Sequence, residues 1–205
     1  IKTQLTLNVG YNRRFSSFSN EIKRLTNDKI PMNVVITVNA GEIDSNHWIQ
    51  DLEIGGGRIL GEVCHFVDLA IYFTGSLVSS VCSSSIEREK TQSNDNLSII
   101  IKTKNHSNVV INYFSNGSNK YSKERIEVYQ NNKNLVLDNW RVLNGFGYKG
   151  FSKLRKTQDK GHKSQFKKMS SNKTIKQLIP LDQIFNSAYT SFAIIESLKK
   201  NSWVK

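Results

Sequence analysis

The chain has 205 residues, with 29 Lys and Arg against 17 Asp and Glu and a formal charge of +12. That length suits one domain with a sizeable core. No apolar run approaches the roughly 20 residues of a membrane-spanning helix, and Ile1-Lys2-Thr3-Gln4 has neither the basic start nor the long apolar stretch of a secretion signal. Cys64 and Cys82 lack metal-ligand spacing and read as two buried thiols in a reducing, cytoplasmic setting, and four scattered His give no metal site. The positive charge raises nucleic acid as a partner. Its densest run, Lys149 to Lys176, reads as a loop and not as a recognition element, so a solvated basic face is the preferred reading.

In chain order, Leu5, Leu7 and Val9 alternate with polar residues and predict a short strand. Ser17 or Ser19 is placed to cap a helix through about Asn27, with Phe18, Ile22 and Leu25 inward. Asn33 to Val38 is β-branched and predicts a strand. Asn39 to Glu53 reads as a loop carrying His47, Trp48 and Asp51. Beyond Gly75, strands are predicted over Val78 to Ile86, Leu97 to Lys102, Val109 to Phe114, Ile126 to Gln130, Leu135 to Leu137 and Trp140 to Leu143. Lys104-Asn105-His106-Ser107 and Asn131-Asn132 supply turns between them, since Asn tolerates positive φ. Consecutive hairpins imply an α/β (α+β) fold with an open, mostly antiparallel sheet, built chiefly from Val78 to Leu143 and covered by helices on one face. The other face would carry Ser79, Ser80, Ser83, Thr103, Asn112 and Tyr113. Gly145 to Lys176 reads as a loop leading into a short helix with Phe166 and Met169, and Ile184, Phe185, Ala188, Phe192, Ile195 and Leu198 recur at the spacing of a final packing helix.

The stretch that carries chemistry is Gly55-Gly56-Gly57-Arg58 through Leu69, running to Thr74-Gly75. Wound at about 100° per residue, Ile59, Leu60, Val63, Phe66, Val67 and Ala70 share one face, while Gly61, His65, Asp68 and Tyr72 fall opposite. Glu62 and His65 lie three residues apart and can meet. Glycines before a helix also allow a ligand to approach bare N–H groups, although a tight turn and a structural Glu–His pair explain the same residues.

Trp48, the Gly55-Gly56-Gly57 triplet and His65-x-x-Asp68 resemble the Gfo/Idh/MocA oxidoreductases, the glucose-fructose oxidoreductase and inositol dehydrogenase group. Tyr11 to Ser16, Ser122 to Val128 and Ile179-Pro180-Leu181-Asp182 to Leu198 resemble further segments of that family in the right order, so the likeness runs from about Val9 to Leu198. It departs at Gly61, where many members carry Asp, and Gly-Glu-x-Cys-His-Phe resembles a branch associated with sugar and surface-polysaccharide metabolism. The single G-x-G-x-x-G, Gly145 to Gly150, opens a stretch read as loop and not a strand-to-helix turn, and the family's Glu-Lys-Pro segment does not occur. Residues 1–205 are thus expected to form a single C-terminal-type domain without its dinucleotide-binding partner.

The resemblance implies an oxidoreductase domain acting on a sugar or sugar nucleotide, with NAD or NADP in the full-length enzyme and none bound to this chain. It implies His65 as general acid/base, suited by a pKa near 6.5, with Glu62 accepting from its ring and raising its pKa. Substrate contacts are expected from Asn12, Arg13, Arg14, Trp48, Asp68 and His162, and cofactor contacts from Gly55, Gly56 and Gly57. Lys160 reads as part of an exposed basic loop, and the basic surface could equally meet a phosphorylated sugar nucleotide. The open sheet face is expected to form a homo-oligomer. The alternatives are a non-catalytic sugar-binding or dimerisation module and, behind it, a basic nucleic-acid-binding domain.

Overall fold

A computed structural model describes residues 6–44, 46–86, 95–171 and 177–205. Eight strands form one sheet in the order β2-β3-β4-β1-β5-β6-β7-β8. They are β1 (Asn33–Asn39), β2 (Val78–Ser85), β3 (Asn96–Thr103), β4 (Asn108–Phe114), β5 (Glu124–Gln130), β6 (Lys133–Asp138), β7 (Val142–Phe146) and β8 (Lys153–Arg155). Every pairing is antiparallel except β1 with β4, which run parallel from Asn33↔Asn108 to Asn39↔Phe114. The mostly antiparallel sheet of the sequence reading is therefore present, and β1 stands at its centre.

The helices are α1 (Ser17–Leu25), α2 (Cys64–Thr74), α3 (His162–Ser171) and α4 (Leu181–Lys200). Period-two alternation turns Val34, Ile36, Val38, Ile99, Val109, Ile111, Ile126 and Val128 toward one face, where they pack with Phe18 and Ile22 of α1 and with Phe66, Val67, Ala70 and Phe73 of α2. Helix α2 is buried on most of its circumference, including Leu69 and Ile71, so it lies inside the helical layer. Its C-terminus is closed by Gly75 at φ 63°, a left-handed cap that glycine adopts without a Cβ penalty.

Several local expectations are corrected. Leu5 lies outside the described residues, and residues 6–10 carry no strand. The α1 cap is Ser16, whose Oγ accepts from the Phe18 amide. Ser83, Thr103 and Tyr113 are buried on the covered face, whereas Ser80 and Asn112 belong to the open one. Phe185 and Phe192 lie on the outer side of α4 with Tyr189, all exposed. Cys82 is only half-buried; Cys64 is buried, and both are free.

Strand β8 falls inside the stretch read as loop; residues 172–176 of that stretch lie outside the described residues. Trp140 is not in a strand. Asn139 and Trp140 both take positive φ (45° and 56°) in the tight turn between β6 and β7, and Trp140 is fully buried there. A bulky residue in that region costs on the order of 1 kcal/mol or more, so its packing and hydrogen bond must hold it. No helix among the described residues is long and apolar enough to cross a membrane.

Candidate active site

The helix bearing His65 begins irregularly. Ile59–Val63 winds as a π-helical turn that runs directly into α2. Such a wide turn resets the face on which following residues emerge. Glu62 accepts from the Tyr113 hydroxyl at 2.6 Å and from Arg58 Nε and Nη2 at 3.3 Å each. Burial opposes its ionisation, but the Tyr113 and Arg58 contacts more than offset this and hold its pKa below the usual carboxylate value. Arg58 is itself buried, donates to the Gly41 carbonyl at 2.7 Å and lies 3.7 Å from Asp95.

No hydrogen bond joins Glu62 to His65, which corrects the expected ring contact. His65 Nδ1 is buried without a hydrogen-bond partner, and the ring packs edge-on against Tyr11 with centroids 5.7 Å apart. Burial pushes the imidazole down to about 4, reinforced by the Arg13 charge and opposed by Glu124 and Glu62. This is the reverse of the expected rise, and it leaves His65 neutral at pH 7.

His65 lines a cleft of about 460 Å³ with Gly10, Asn12, Arg13, Glu62, Lys160, His162, Gln165 and Phe166. Three segments meet there: the 3-10 turn Asn12–Phe15, the π-turn and start of α2, and the loop entering α3. The Asn12 side-chain amide donates to the Lys160 carbonyl at 2.6 Å, tying the first segment to the third. Gln165 donates to the Val9 carbonyl at 2.8 Å. Gly161 takes φ 88°, and a Cβ there would fall 2.1 Å from the Asn12 carbonyl oxygen, so only glycine permits this close approach.

Beneath the cleft sits Glu124, 1% exposed. Its Oε2 accepts from Arg13 Nε at 2.9 Å and from Trp140 Nε1 at 2.6 Å; its Oε1 accepts from Arg13 Nη2 at 3.0 Å and from Lys160 Nζ at 2.6 Å. Burial by itself would raise this carboxyl, but Arg13 and then Lys160 overcome it and hold it at about 2. Sequence reading missed Glu124, although a signal was there: it shares the inward parity of Ile126 and Val128 on β5. Tyr113 repeats the signal at the inward phase of Val109 and Ile111 on β4.

The remaining named residues divide. Arg14 and Asp68 are both buried and paired: Nε and Nη2 of Arg14 reach the carboxylate at 2.9 and 2.5 Å, and Nη1 donates to Gln183 at 2.8 Å. Burial raises Asp68 to about 6 against the pull of Arg14. Neither residue lines the His65 cleft, and their geometry fastens the 3-10 turn to α2 and α4. Trp48 is 61% exposed in a short 3-10 turn and does not line the cleft either. The amides of Gly55 and Gly56 donate to the Asp51 carbonyl at 2.8 and 3.1 Å, so they are not bare. A Cβ on Gly55 would fall 2.4 Å from the Trp48 carbonyl oxygen, and Gly56 and Gly57 take φ 70° and 76°. The triplet is thus required by the turn itself. Among the described residues no group of His, Cys, Asp and Glu is arranged to hold a metal ion.

A comparison with curated protein sequences finds no match. Solved structures share the fold across nearly the whole chain. An aldose-aldose oxidoreductase from Caulobacter crescentus complexed with glycerol superposes with a TM-score of 0.75 at 15% identity, covering 98% of this chain and 64% of that one. An NAD binding oxidoreductase from Klebsiella pneumoniae gives 0.76 at 15% identity, covering 96% and 65%. GenD2 from gentamicin A biosynthesis, in complex with NAD, gives 0.72 at 14% identity, covering 98% and 63%. The chain thus spans less than two thirds of the length of each of these structures. Residues 31–136 match the family described as the GFO/IDH/MocA C-terminal domain, and with β1 to β5, the Gly triplet and α2 all inside that match, the chain belongs to this family.

Proposed function

We propose that the chain is the substrate-side domain of an NAD(P)-dependent oxidoreductase acting on a sugar or sugar nucleotide, and that a dinucleotide-binding domain completes the enzyme. The observation that carries this is a neutral histidine, its Nδ1 buried and unpartnered, on the wall of a polar cleft. Buried polar atoms without partners are uncommon and mark functional positions. The named neighbours support the class: an aldose-aldose oxidoreductase, an NAD binding oxidoreductase and an NAD complex.

The residues present do not fit a dinucleotide phosphate. Its cradle needs free backbone amides at a strand-to-helix turn, whereas Gly55 and Gly56 spend theirs on Asp51. No step is assigned to the Gly triplet, and this chain alone is expected to bind neither NAD nor NADP.

What the chain supplies is proton handling and orientation. A neutral imidazole accepts the proton of a sugar hydroxyl, and loss of such a base costs about 10²–10⁴ in rate. Asn12 and His162 present polar groups to the sugar, and Phe166, 67% exposed at the rim, offers a ring face to it. Glu62, locked by Tyr113 and Arg58, shapes the wall and does not orient the imidazole. Exposed Ile100 and Tyr129 on the open sheet face support contact with a second copy. Nucleic acid has no part in this reading, and tight, salt-sensitive binding of DNA or RNA would count against it.

The test is an assay of the complete protein with sugars and sugar nucleotides, following reduction of NAD or NADP by absorbance. Turnover with either cofactor supports the proposal. Sugar binding without reduction of either would favour a non-catalytic sugar-binding module, the reading that Gly61 in place of the family's Asp also permits.

A further inference from the structure

The charge arrangement around Glu124 bears on which sugars the cleft accepts. An ionised carboxylate offers about four acceptor positions, and Glu124 accepts four hydrogen bonds: two from Arg13, one from Lys160 and one from Trp140. Two cations therefore share one saturated anion. Lys160 Nζ makes one hydrogen bond among the described residues, so two of its three donors are unspent. Arg13 uses Nε and Nη2 on Glu124, while Nη1 has no partner among the described residues and the guanidinium lies over the Phe66 ring, 4.5 Å from its centroid.

Arg14, three of whose nitrogens are engaged by Asp68 and Gln183, shows the contrasting saturated case. The other acid on the cleft wall, Glu62, is held by Arg58 and Tyr113, and Arg58 also lies 3.7 Å from Asp95. Against Glu124, Arg13 and Lys160 thus leave one surplus positive charge and several free donors in the cleft that His65 also lines.

Resting on the proposed function, we propose that the cleft is selective for a sugar bearing an anionic group, a carboxylate or a phosphate, held by Arg13 and Lys160 while His65 faces the neighbouring hydroxyl. Charge-assisted hydrogen bonds of this kind are the stronger ones, and their desolvation in a narrow cleft gives selectivity over the uncharged sugar. The same chemistry would suit a phosphate of a dinucleotide, so the experiment separates the two sources.

Binding to the chain is measured by nuclear magnetic resonance titration with glucose, glucuronate, glucose 6-phosphate and NAD, reading the His65 and His162 imidazoles. The expected result is at least about tenfold tighter binding of glucuronate or glucose 6-phosphate than of glucose, weakened by salt. Lys160→Gln should abolish the difference, Lys160→Arg should restore much of it, and Lys163→Gln on the exposed side of α3 should leave it unchanged. Equal binding of charged and neutral sugars, binding of none of them, preference for NAD over both acidic sugars, or a preference that survives Lys160→Gln would each overturn the proposal. Because the readout is binding and not turnover, its failure leaves the oxidoreductase reading intact, and absence of NAD(P) reduction in the complete protein leaves the anion selectivity standing.

Discussion

Replacing Glu124 by Gln keeps the shape of the side chain and removes its charge. The Arg13 guanidinium and the Lys160 ammonium then lose their shared counter-ion, and two of the four donors face an amide nitrogen that cannot accept. Breaking a buried ion pair from one side typically costs 3–5 kcal/mol. The carboxyl itself gives an independent figure. Its fall from 4.5 to about 2 corresponds to ~3 kcal/mol at ~1.4 kcal/mol per tenfold. Because the folded value lies below the unfolded one, this stabilisation is fully present above about pH 4.5 and is lost as the pH falls toward 2. Urea melts should therefore show Glu124→Gln destabilised by ~3 kcal/mol at pH 7 but by only about 1 kcal/mol at pH 3, with a drop in Tm at neutral pH of roughly 6–12 °C for a chain of this size. A deficit under ~1 kcal/mol at pH 7, or one of the same size at both pH values, would refute the picture of Glu124 as the saturated anion under the cleft.

Three further outcomes follow from the geometry. The His65 imidazole, followed by nuclear magnetic resonance, should titrate near 4; since its folded value lies below its unfolded one, it should cost stability as the pH falls from about 6.5 toward 4, and a midpoint near 6.5 would contradict its burial. Asp68→Ala strands the Arg14 charge and should lower stability by about 3–5 kcal/mol in melts, whereas a small change would mean that the pair is not holding the 3-10 turn to α2. Gly55→Ala drives a methyl against the Trp48 carbonyl oxygen and should cost about 1–3 kcal/mol, and a neutral substitution would show that the Gly turn can relax.

Much of the sheet was legible because alternation and Asn-rich turns are local signals. Asn131 and Asn132 adopt positive φ as their side chains permit, and β2 to β6 fall where Val, Ile and Leu alternate with polar residues. The parallel pairing of β1 with β4 was not legible, since it joins residues about 75 positions apart without a local mark. The π-turn at Ile59–Val63 was invisible to a count at 100° per residue, and Glu62 on that turn bonds Tyr113 and Arg58 and not His65. Asp68 was assigned to the polar stripe with His65, but its side of α2 is closed by Arg14, a partner 54 residues away. Trp140 was read as a strand opener from its apolar character, whereas a buried indole N–H needs an acceptor and Glu124 draws it into a left-handed turn. His65 itself was legible as the ionisable residue on an apolar helix; its low pKa was not, because that depends on burial and on Arg13 lying beside it.

The claim that this cleft is a working active site rests most directly on His65. Steady-state kinetics of the complete protein carrying His65→Asn, paired with its thermal melt, separate chemistry from packing. The account predicts a loss of about 10²–10⁴ in kcat with Tm nearly unchanged, because Nδ1 has no partner in the fold to lose. A folded His65→Asn enzyme with full turnover, or one whose only defect is a lowered Tm, would contradict it.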